Sequence, residues 1–278
     1  MILGLSHVHT DFSHDGDIGI QQLSEIAIRY GVSFVLLSEH ADQGMNNDIF
    51  AKLKEASNYW SSDSLKIIPG LEFVTDEGFH VLGFGIDRFF VASDFKSTVD
   101  AIRLYRGFSV LAHPVQYAFE YNPVLDCVDA VEVQNSLYDG VIAPRWKAYN
   151  LYNRIRKTNR SCSTVAGPDL HKKQDMSRAI YLHMELDRLD FEHIIECLKS
   201  KRHLIGTVNR SYSILNLNLR EITLMLFSEY FLLPLKAVLT LFVAYLNQAY
   251  KQAYVNRDPI GALLKVYKVT LKVFKINN

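Results

Sequence analysis

Short, uninterrupted apolar runs that alternate with segments of helical periodicity are the feature that most constrains the fold of this 278-residue chain. The apolar runs are 2–8, 32–37, 66–74, 79–84, 109–112, 128–133 and 163–166, and helical spacing is clearest at 20–30 and 49–60. Strands that are apolar on both faces are typical of parallel sheets covered by helices. About seven strands favour a barrel over an open sheet, and no GxGxxG motif follows the first strand to support a dinucleotide fold.

A change of composition divides the chain into two predicted regions. Residues 182–202 have the pattern of a closing strand and helix, so we expect an α/β domain over 1–205 and a helical region over 206–278. Residues 201–278 contain 11 basic and three acidic side chains, a net charge of +8. Because the whole chain has 30 of each, the first 200 residues carry −8, and the two regions are expected to have different partners.

The C-terminal region contains two segments of interest. Residues 222–246 are apolar but interrupted by Glu229, Pro234 and Lys236, which leaves open a pair of buried helices, an interfacial or dimer surface, or a membrane span. In 259–275 the lysines fall on one helical face and apolar residues on the other. This pattern predicts docking on a membrane surface or an acidic partner, with an ordinary surface helix or a strand as alternatives.

The number and spacing of the cysteines indicate which cellular compartment to expect. The three cysteines lack any paired spacing, and the N-terminus has no secretory signal pattern. We therefore expect a cytoplasmic protein, or one peripheral to the inner face of a membrane through 259–275. The region 1–205 shows no alternation of basic and aromatic residues that would predict a nucleic-acid platform.

Polar residues of metal-binding type stand at the ends of the predicted strands. They are His7 and His9, Ser38-Glu39-His40, Glu72, His80, His113, Glu132 with Asn135, and Asp169 with His171. Residues spaced i, i+2 on a strand point to the same face, so His7 with His9 and Asp169 with His171 form two pairs. In parallel barrels the strand ends build the site, which predicts a metal centre there.

These motifs, in this order, resemble the PHP (polymerase and histidinol phosphatase) superfamily over about residues 1–205. The matching residues are His7-Val8-His9-Thr10, Phe12-Ser13-His14-Asp15-Gly16, Ser38-Glu39-His40, Gly70-Leu71-Glu72, His80-Val81-Leu82-Gly83, His113-Pro114 and Asp169-Leu170-His171. The resemblance implies a distorted (βα)7 barrel whose cluster of two or three metals hydrolyses phosphate esters. Two departures are Ser-Glu-His at 38–40, where the family usually has Thr-Asp-His, and Pro168, where serine is common.

The resemblance also implies a set of ligands. His7, His9 and Asp169 would hold one metal, Glu72 would bridge to a second that His80 and His113 complete, and Asp15, His40 and His171 would hold a third. His14 is expected to be a bystander, or a ligand in place of Asp15. Imidazole and carboxylate ligands without thiolates suit zinc, manganese or iron. Two such ions can share a hydroxide that attacks a phosphate ester, so no protein nucleophile is required.

The substrate is expected to be a small phosphorylated molecule. Asn135, Arg145 and Arg178 are the candidates to bind it, because Asn135 ends a strand at the site and the two arginines follow site-facing strands. A turn role for Asn135 and a surface role for the arginines are the alternatives. Two other functional classes also stay open: a non-catalytic binding or assembly module on this fold, and an amidohydrolase that cleaves C–N bonds.

Overall fold

Twelve strands and seven α-helices make up the computed structural model over the residues that it describes, 1–116, 121–240 and 242–244. The strands are β1 (Ile2–Val8), β2 (Val32–Leu37), β3 (Glu39–His40), β4 (Lys66–Ile68), β5 (Gly70–Val74), β6 (His80–Phe84), β7 (Phe108–Leu111), β8 (Ala130–Asn135), β9 (Ser163–Gly167), β10 (Tyr181–Met184), β11 (Leu204–Thr207) and β12 (Arg210–Tyr212). The helices are α1 (Ile20–Arg29), α2 (Asn47–Trp60), α3 (Phe95–Leu104), α4 (Ser136–Asp139), α5 (Trp146–Thr158), α6 (Phe191–Lys199) and α7 (Leu219–Phe227). Each apolar run of the sequence contains a strand, so the predicted mixed α/β class is confirmed.

The strands form two six-stranded sheets, ordered β12-β11-β10-β1-β2-β4 and β3-β5-β6-β7-β8-β9. Pairs β1–β2, β2–β4, β3–β5, β7–β8 and β8–β9 are parallel. The strands from β5 to β7 and from β10 to β12 pair antiparallel, as do β1 and β10, so the expectation of a wholly parallel sheet is wrong. For β5 and β6 the reason is connection length: only residues 75–79 join them, too few for the crossover that parallel pairing needs.

The chain passes from one sheet to the other through very short connections. Ser38 alone separates β2 from β3, and Pro69, which cannot donate to a strand ladder, separates β4 from β5. On the opposite side, Val8 of β1 forms a parallel bridge with Leu170, just beyond β9. These junctions place the ends of β1, β3, β5 and β9 side by side, although the described strands form two sheets and no closed hydrogen-bonded ring.

A single apolar core supports both sheets. Phe34, Phe73 and Phe84 are fully buried in it. Gly4 makes room for one of these rings, because a Cβ at that position would lie 1.9 Å from the ring of Phe34. Burial of a large apolar side chain stabilises the fold by roughly 1.5–3 kcal/mol. The core therefore holds the strands firmly enough to fix the polar residues at their ends.

The described chain divides into two compact units, Met1–Leu226 and the residues from Phe227 onward. One continuous helix, Leu219–Ala244, has the length and composition to cross a membrane, and 12% of its most apolar window is buried. For residues 222–246 the sequence left a pair of buried helices open, and the described part of this range shows one helix in place of a pair. A π turn at Ser228–Leu232 lies just before Pro234, one of the three residues that interrupt the apolar pattern of the sequence.

The basic segment 259–275 lies outside the described residues. Its predicted docking role therefore stays a prediction, as does the domain division at 205–206.

Candidate metal centre

The end of β1 places two imidazoles inside the protein. His7 and His9 are fully buried, with His7 Nδ1 2.9 Å from Glu132 Oε1 and His9 Nδ1 3.2 Å from Ser13 Oγ. The opposite nitrogen of each ring, Nε2, is buried and has no hydrogen-bond partner. Buried polar atoms are normally paired, so two unpaired imidazole nitrogens that face one point fit a bound cation.

Two carboxylates face these nitrogens. Asp169 Oδ1 lies 3.3 Å from His7 Nε2 and 3.4 Å from His9 Nε2. Glu72 Oε2 lies 3.6 Å and 3.4 Å from the same two atoms. Ligand atoms of His7, His9 and Asp169 all fall within 4.8 Å of one another, so these three residues could hold one ion.

Glu72 is the centre of the arrangement. Its Oε1 lies 2.7 Å from His80 Nδ1 and 3.1 Å from His113 Nε2. Its Oε2, which faces His7 and His9, also lies 3.3 Å from His40 Nδ1. A carboxylate with imidazoles at both oxygens has the geometry of a bridging ligand, and His7, Glu72 and His113 form a second group able to hold an ion.

A third group lies toward solvent. Asp15 Oδ1 is 3.4 Å from His40 Nε2, and Asp15 Oδ2 is 3.3 Å from His171 Nε2. Ligand atoms of His9, His40 and His171 also meet the spacing for one ion, as do those of His14, Asp15 and His40. The structure therefore brings together all nine residues that the resemblance suggested, and it adds His14 at the exposed edge.

Three of these residues adopt backbone conformations that side chains rarely take. The φ angles are 60° at His7, 26° at His113 and 51° at Asp169. Such strain costs about 1–3 kcal/mol per residue and is concentrated at functional sites in proteins. His7 is the last residue but one of β1, and His113 and Asp169 each lie two residues beyond a strand, so all three lie where a strand ends beside the common centre.

Two residues behind the cluster hold it in place. Glu132 is buried, with Oε1 at His7 Nδ1 and Oε2 accepting from the backbone N–H of His113 at 2.7 Å. Asn135 is fully buried, and its amide donates to Glu132 Oε2 and to Asp169 Oδ2, each at 3.1 Å. Asn135 thus contacts candidate ligands from behind, and its Oδ1 also caps α4.

The electrostatics of the cluster favour ionised acids. Burial raises the pKa of Glu72 and of Asp169, but the neighbouring imidazoles, His7 first among them, outweigh burial and hold both pKa values well below their usual range. Burial opposes charge on His7 too, yet Asp169, Glu132 and Glu72 together keep its pKa well above the usual value. For His9, burial lowers the pKa to about 4, so this imidazole is neutral at pH 7, as a metal ligand must be.

A cavity of about 490 Å³ opens onto the cluster. Leu137, Tyr138 and Lys172 line it together with the candidate ligands. Lys172 is the one lysine or arginine among its described lining residues, and its ammonium has no ion-pair partner within the described chain. Arg145, paired with Asp139 at 3.1 Å, and the exposed Arg178, 3.5 Å from Asp175, do not line this cavity.

Sequence reasoning thus gave no role to Lys172, Tyr138, Ser13 or Glu39. The signal for Lys172 was its position directly after His171, and that for Glu39 its position directly before His40. Tyr138 had no comparable signal, because it reaches the cavity from α4 after a tight turn of the chain.

Comparison with solved structures relates the fold to known proteins. A two-domain protein from Bacteroides vulgatus ATCC 8482, which contains a predicted PHP-like metal-dependent phosphoesterase, matches 76% of this chain with a TM-score of 0.59 and 15% identity. This chain spans 66% of the length of that protein. A proposed metal-dependent phosphoesterase from Bifidobacterium adolescentis ATCC 15703 matches 74% of the chain, over 98% of its own, with a TM-score of 0.49 and 15% identity.

No protein-family model matches the chain, and no curated protein matches it. The first structural match shows that the chain shares its fold with a PHP-like protein, as the motifs suggested.

Proposed function

We propose that this chain is a metal-dependent hydrolase of phosphate esters, a phosphatase or phosphodiesterase that binds two or three divalent ions. The observation that carries the proposal is the pair of buried, unpartnered Nε2 atoms of His7 and His9, which face the carboxylates of Glu72 and Asp169. Imidazoles and carboxylates without thiolates suit manganese, zinc or iron. When bound, such ions would supply Lewis acidity and would lower the pKa of a bound water to about 7, so that hydroxide is available at neutral pH.

The protein's own residues would orient the substrate. Lys172, on the cavity wall next to His171, offers a positive charge to a phosphate oxygen. Tyr138 and Leu137 line the same cavity and would contact the group esterified to the phosphate. Glu132 and Asn135 keep His7 and Asp169 in place during the reaction, since both are buried and bonded to them.

We further propose that the two sheets are the halves of one distorted (βα)7 barrel. The one-residue junctions at Ser38 and Pro69 and the bridge between Val8 and Leu170 support this proposal, because they bring both edges of the second sheet, at β3 and just beyond β9, next to β2 and β1 of the first. In such barrels the strand ends on one face carry the site, which is where the candidate ligands lie.

Hydrolysis of a panel of phosphate esters by the full chain tests the function. We expect the protein supplied with manganese, zinc or iron(II) to hydrolyse p-nitrophenyl phosphate or its bis-ester. His9→Ala and Glu72→Gln should retain less than about 1% of that rate, because each removes a candidate ligand. His193→Ala is the matched control and should keep full activity, because this half-buried residue of α6 bonds to Asp190, the N-cap of that helix, away from the cluster.

Two outcomes contradict the proposal. Metal-loaded protein that binds ions but hydrolyses neither ester would indicate a binding module. A rate unaffected by either ligand substitution would place the chemistry elsewhere.

A further inference from the structure

Ser13 has a hydrogen-bonding arrangement that determines the protonation of a neighbouring imidazole. Its hydroxyl Oγ lies 2.6 Å from Glu39 Oε2, 3.0 Å from the backbone nitrogen of His40 and 3.2 Å from His9 Nδ1. Ser13 and Glu39 are both buried, so solvent offers no competing partner. A hydroxyl has one proton to donate and two lone pairs to accept with, and three partners therefore use its whole capacity.

The roles of the three partners follow from their chemistry. Burial raises the pKa of Glu39 to about 7, so at pH 8.5 its carboxylate is ionised and can only accept, and Ser13 donates its proton to it. The backbone N–H of His40 can only donate, and it takes one lone pair of Ser13. The remaining lone pair faces His9 Nδ1, which must then carry a proton. A neutral imidazole with hydrogen on Nδ1 has its free lone pair on Nε2, the atom that is buried without a partner and faces Glu72 and Asp169.

Glu39 is itself held firmly. Its Oε1 accepts from the hydroxyl of Thr10 at 2.7 Å, and the backbone N–H of Thr10 lies within 3.1 Å of both of its oxygens. Glu39 therefore lies between the two segments that supply His9 and His40, the end of β1 and the start of β3. Its side chain reaches no candidate metal ligand directly; it acts through Ser13.

We infer that Glu39 and Ser13 are positioning residues that fix the tautomer of His9, so that its Nε2 lone pair is preformed for a metal ion. The inference rests on the metal site of the proposed function but needs no hydrolysis to be tested. Glu132 supports His7 in the parallel way, through a direct bond to Nδ1. Partners of this kind typically contribute 10- to 100-fold to metal affinity.

The test measures metal affinity and the tautomer, both at pH 8.5. Manganese or zinc titrated calorimetrically into the metal-stripped full chain should bind roughly 10- to 100-fold more weakly to Ser13→Ala and to Glu39→Gln. Ser13→Thr, which keeps the hydroxyl, should restore the affinity to near that of the original protein. Ser38→Ala is the matched control, because this buried hydroxyl precedes Glu39 in sequence and, within the described residues, hydrogen-bonds to Val8 O alone, at 3.4 Å.

Nitrogen-15 NMR of the metal-stripped protein supplies an independent readout. We expect His9 to show the proton on Nδ1, and Ser13→Ala to lose this preference. Unchanged metal affinity in both Ser13→Ala and Glu39→Gln would overturn the inference, as would a proton found on His9 Nε2. The NMR measurement on the unsubstituted chain decides the question even if a variant fails to fold. If the unsubstituted chain binds metal but hydrolyses no phosphate ester, that result counts against the proposed function alone and leaves this inference standing.

Discussion

The proposed role of Lys172 at the cavity wall can be tested separately from that of the metal cluster beside it. Lys172 and the next residue, Lys173, are both exposed, but only Lys172 lines the cavity over the cluster. Lys172→Ala should raise the KM for p-nitrophenyl phosphate roughly tenfold, because a charge-assisted contact to phosphate is lost. The change in kcat should be smaller, since a phosphate clamp binds ground and transition states alike.

Lys173→Ala is the matched control and should leave both constants unchanged. Steady-state kinetics with saturating metal measures them. If Lys172→Ala behaved like Lys173→Ala, Lys172 would not contact the substrate.

At the same scale, the residue types of the site were far easier to predict than their partners. His7, His9, Asp169 and His171 stand at predicted strand ends, so the sequence alone brings them to one end of the sheets. The i, i+2 spacing does not itself explain their convergence, because His7 and Asp169 have positive φ angles and leave the extended conformation. The contacts of Glu39 with Thr10 and Ser13 depend on how β3 approaches β1, which no local pattern specifies. Arg145 and Arg178 do not line the cavity, and their roles as substrate contacts remain predictions.

At the scale of elements, the approach of β9 to β1 controls where Asp169 lies. A Cβ on Gly167, the last residue of β9, would lie 2.2 Å from the carbonyl oxygen of Ser6 in β1. Gly167→Ala must push the strands apart, and we expect a loss of about 1–3 kcal/mol in the free energy of unfolding. Metal affinity should also fall, because His7 and Asp169 would separate.

Gly19→Ala is the control, since a Cβ there meets its nearest atom, Asp11 Oδ2, at 3.4 Å and φ is −66°. Urea denaturation of the metal-stripped variants compares them. Equal stability of the two would mean that β1 and β9 do not pack as described.

The loop between α6 and β11 contains a group whose titration should weaken the fold in acid. His203 is buried and its Nδ1 has no partner, so burial lowers its pKa to about 4. In the unfolded chain His203 is protonated below about pH 6.5, whereas in the folded protein it is protonated only below about pH 4. The contribution of neutral His203 to the free energy of unfolding is therefore fully present above about pH 6.5. It is lost progressively as the pH falls toward 4, by roughly 3 kcal/mol.

His203→Gln should remove this part of the acid sensitivity. Denaturation midpoints from pH 8 to pH 4, measured without metal, check it. Parallel pH profiles for the variant and the original chain would show that His203 is not buried in its neutral form.

The sequence anticipated the elements better than their pairing. Apolar runs and helical periodicity located β1, β2, α1 and α2 closely, because these patterns reflect burial of each element. Strand direction depends on connection length and on which edges meet, so the antiparallel β5–β6 pair was not foreseen. For residues 222–246 the sequence left buried helices, an interface and a membrane span open, and the structure describes one helix, Leu219–Ala244, with a π turn before Pro234.

At the scale of the whole molecule, most of the buried acidic side chains among the described residues lie in one place. Glu72, Asp169, Glu132 and Glu39 are all nearly inaccessible and lie around a set of imidazoles at the strand ends. Isolated buried charges cost several kcal/mol, so a fold that keeps this many of them needs compensating partners. Metal ions bound between the acids and imidazoles would provide that compensation, and the two-sheet fold would serve to hold the ligands in place.

The central claim is that bound metal and phosphate-ester hydrolysis depend on each other in this chain. The most direct test strips the purified full chain with chelator, then adds manganese, zinc or iron(II) in steps while metal per chain and p-nitrophenyl phosphate hydrolysis are measured on the same samples. We predict a rate near zero without metal, a rise that parallels occupancy, and saturation at two or three ions per chain. A full rate in metal-free protein, or two bound ions without any hydrolysis, would contradict the account.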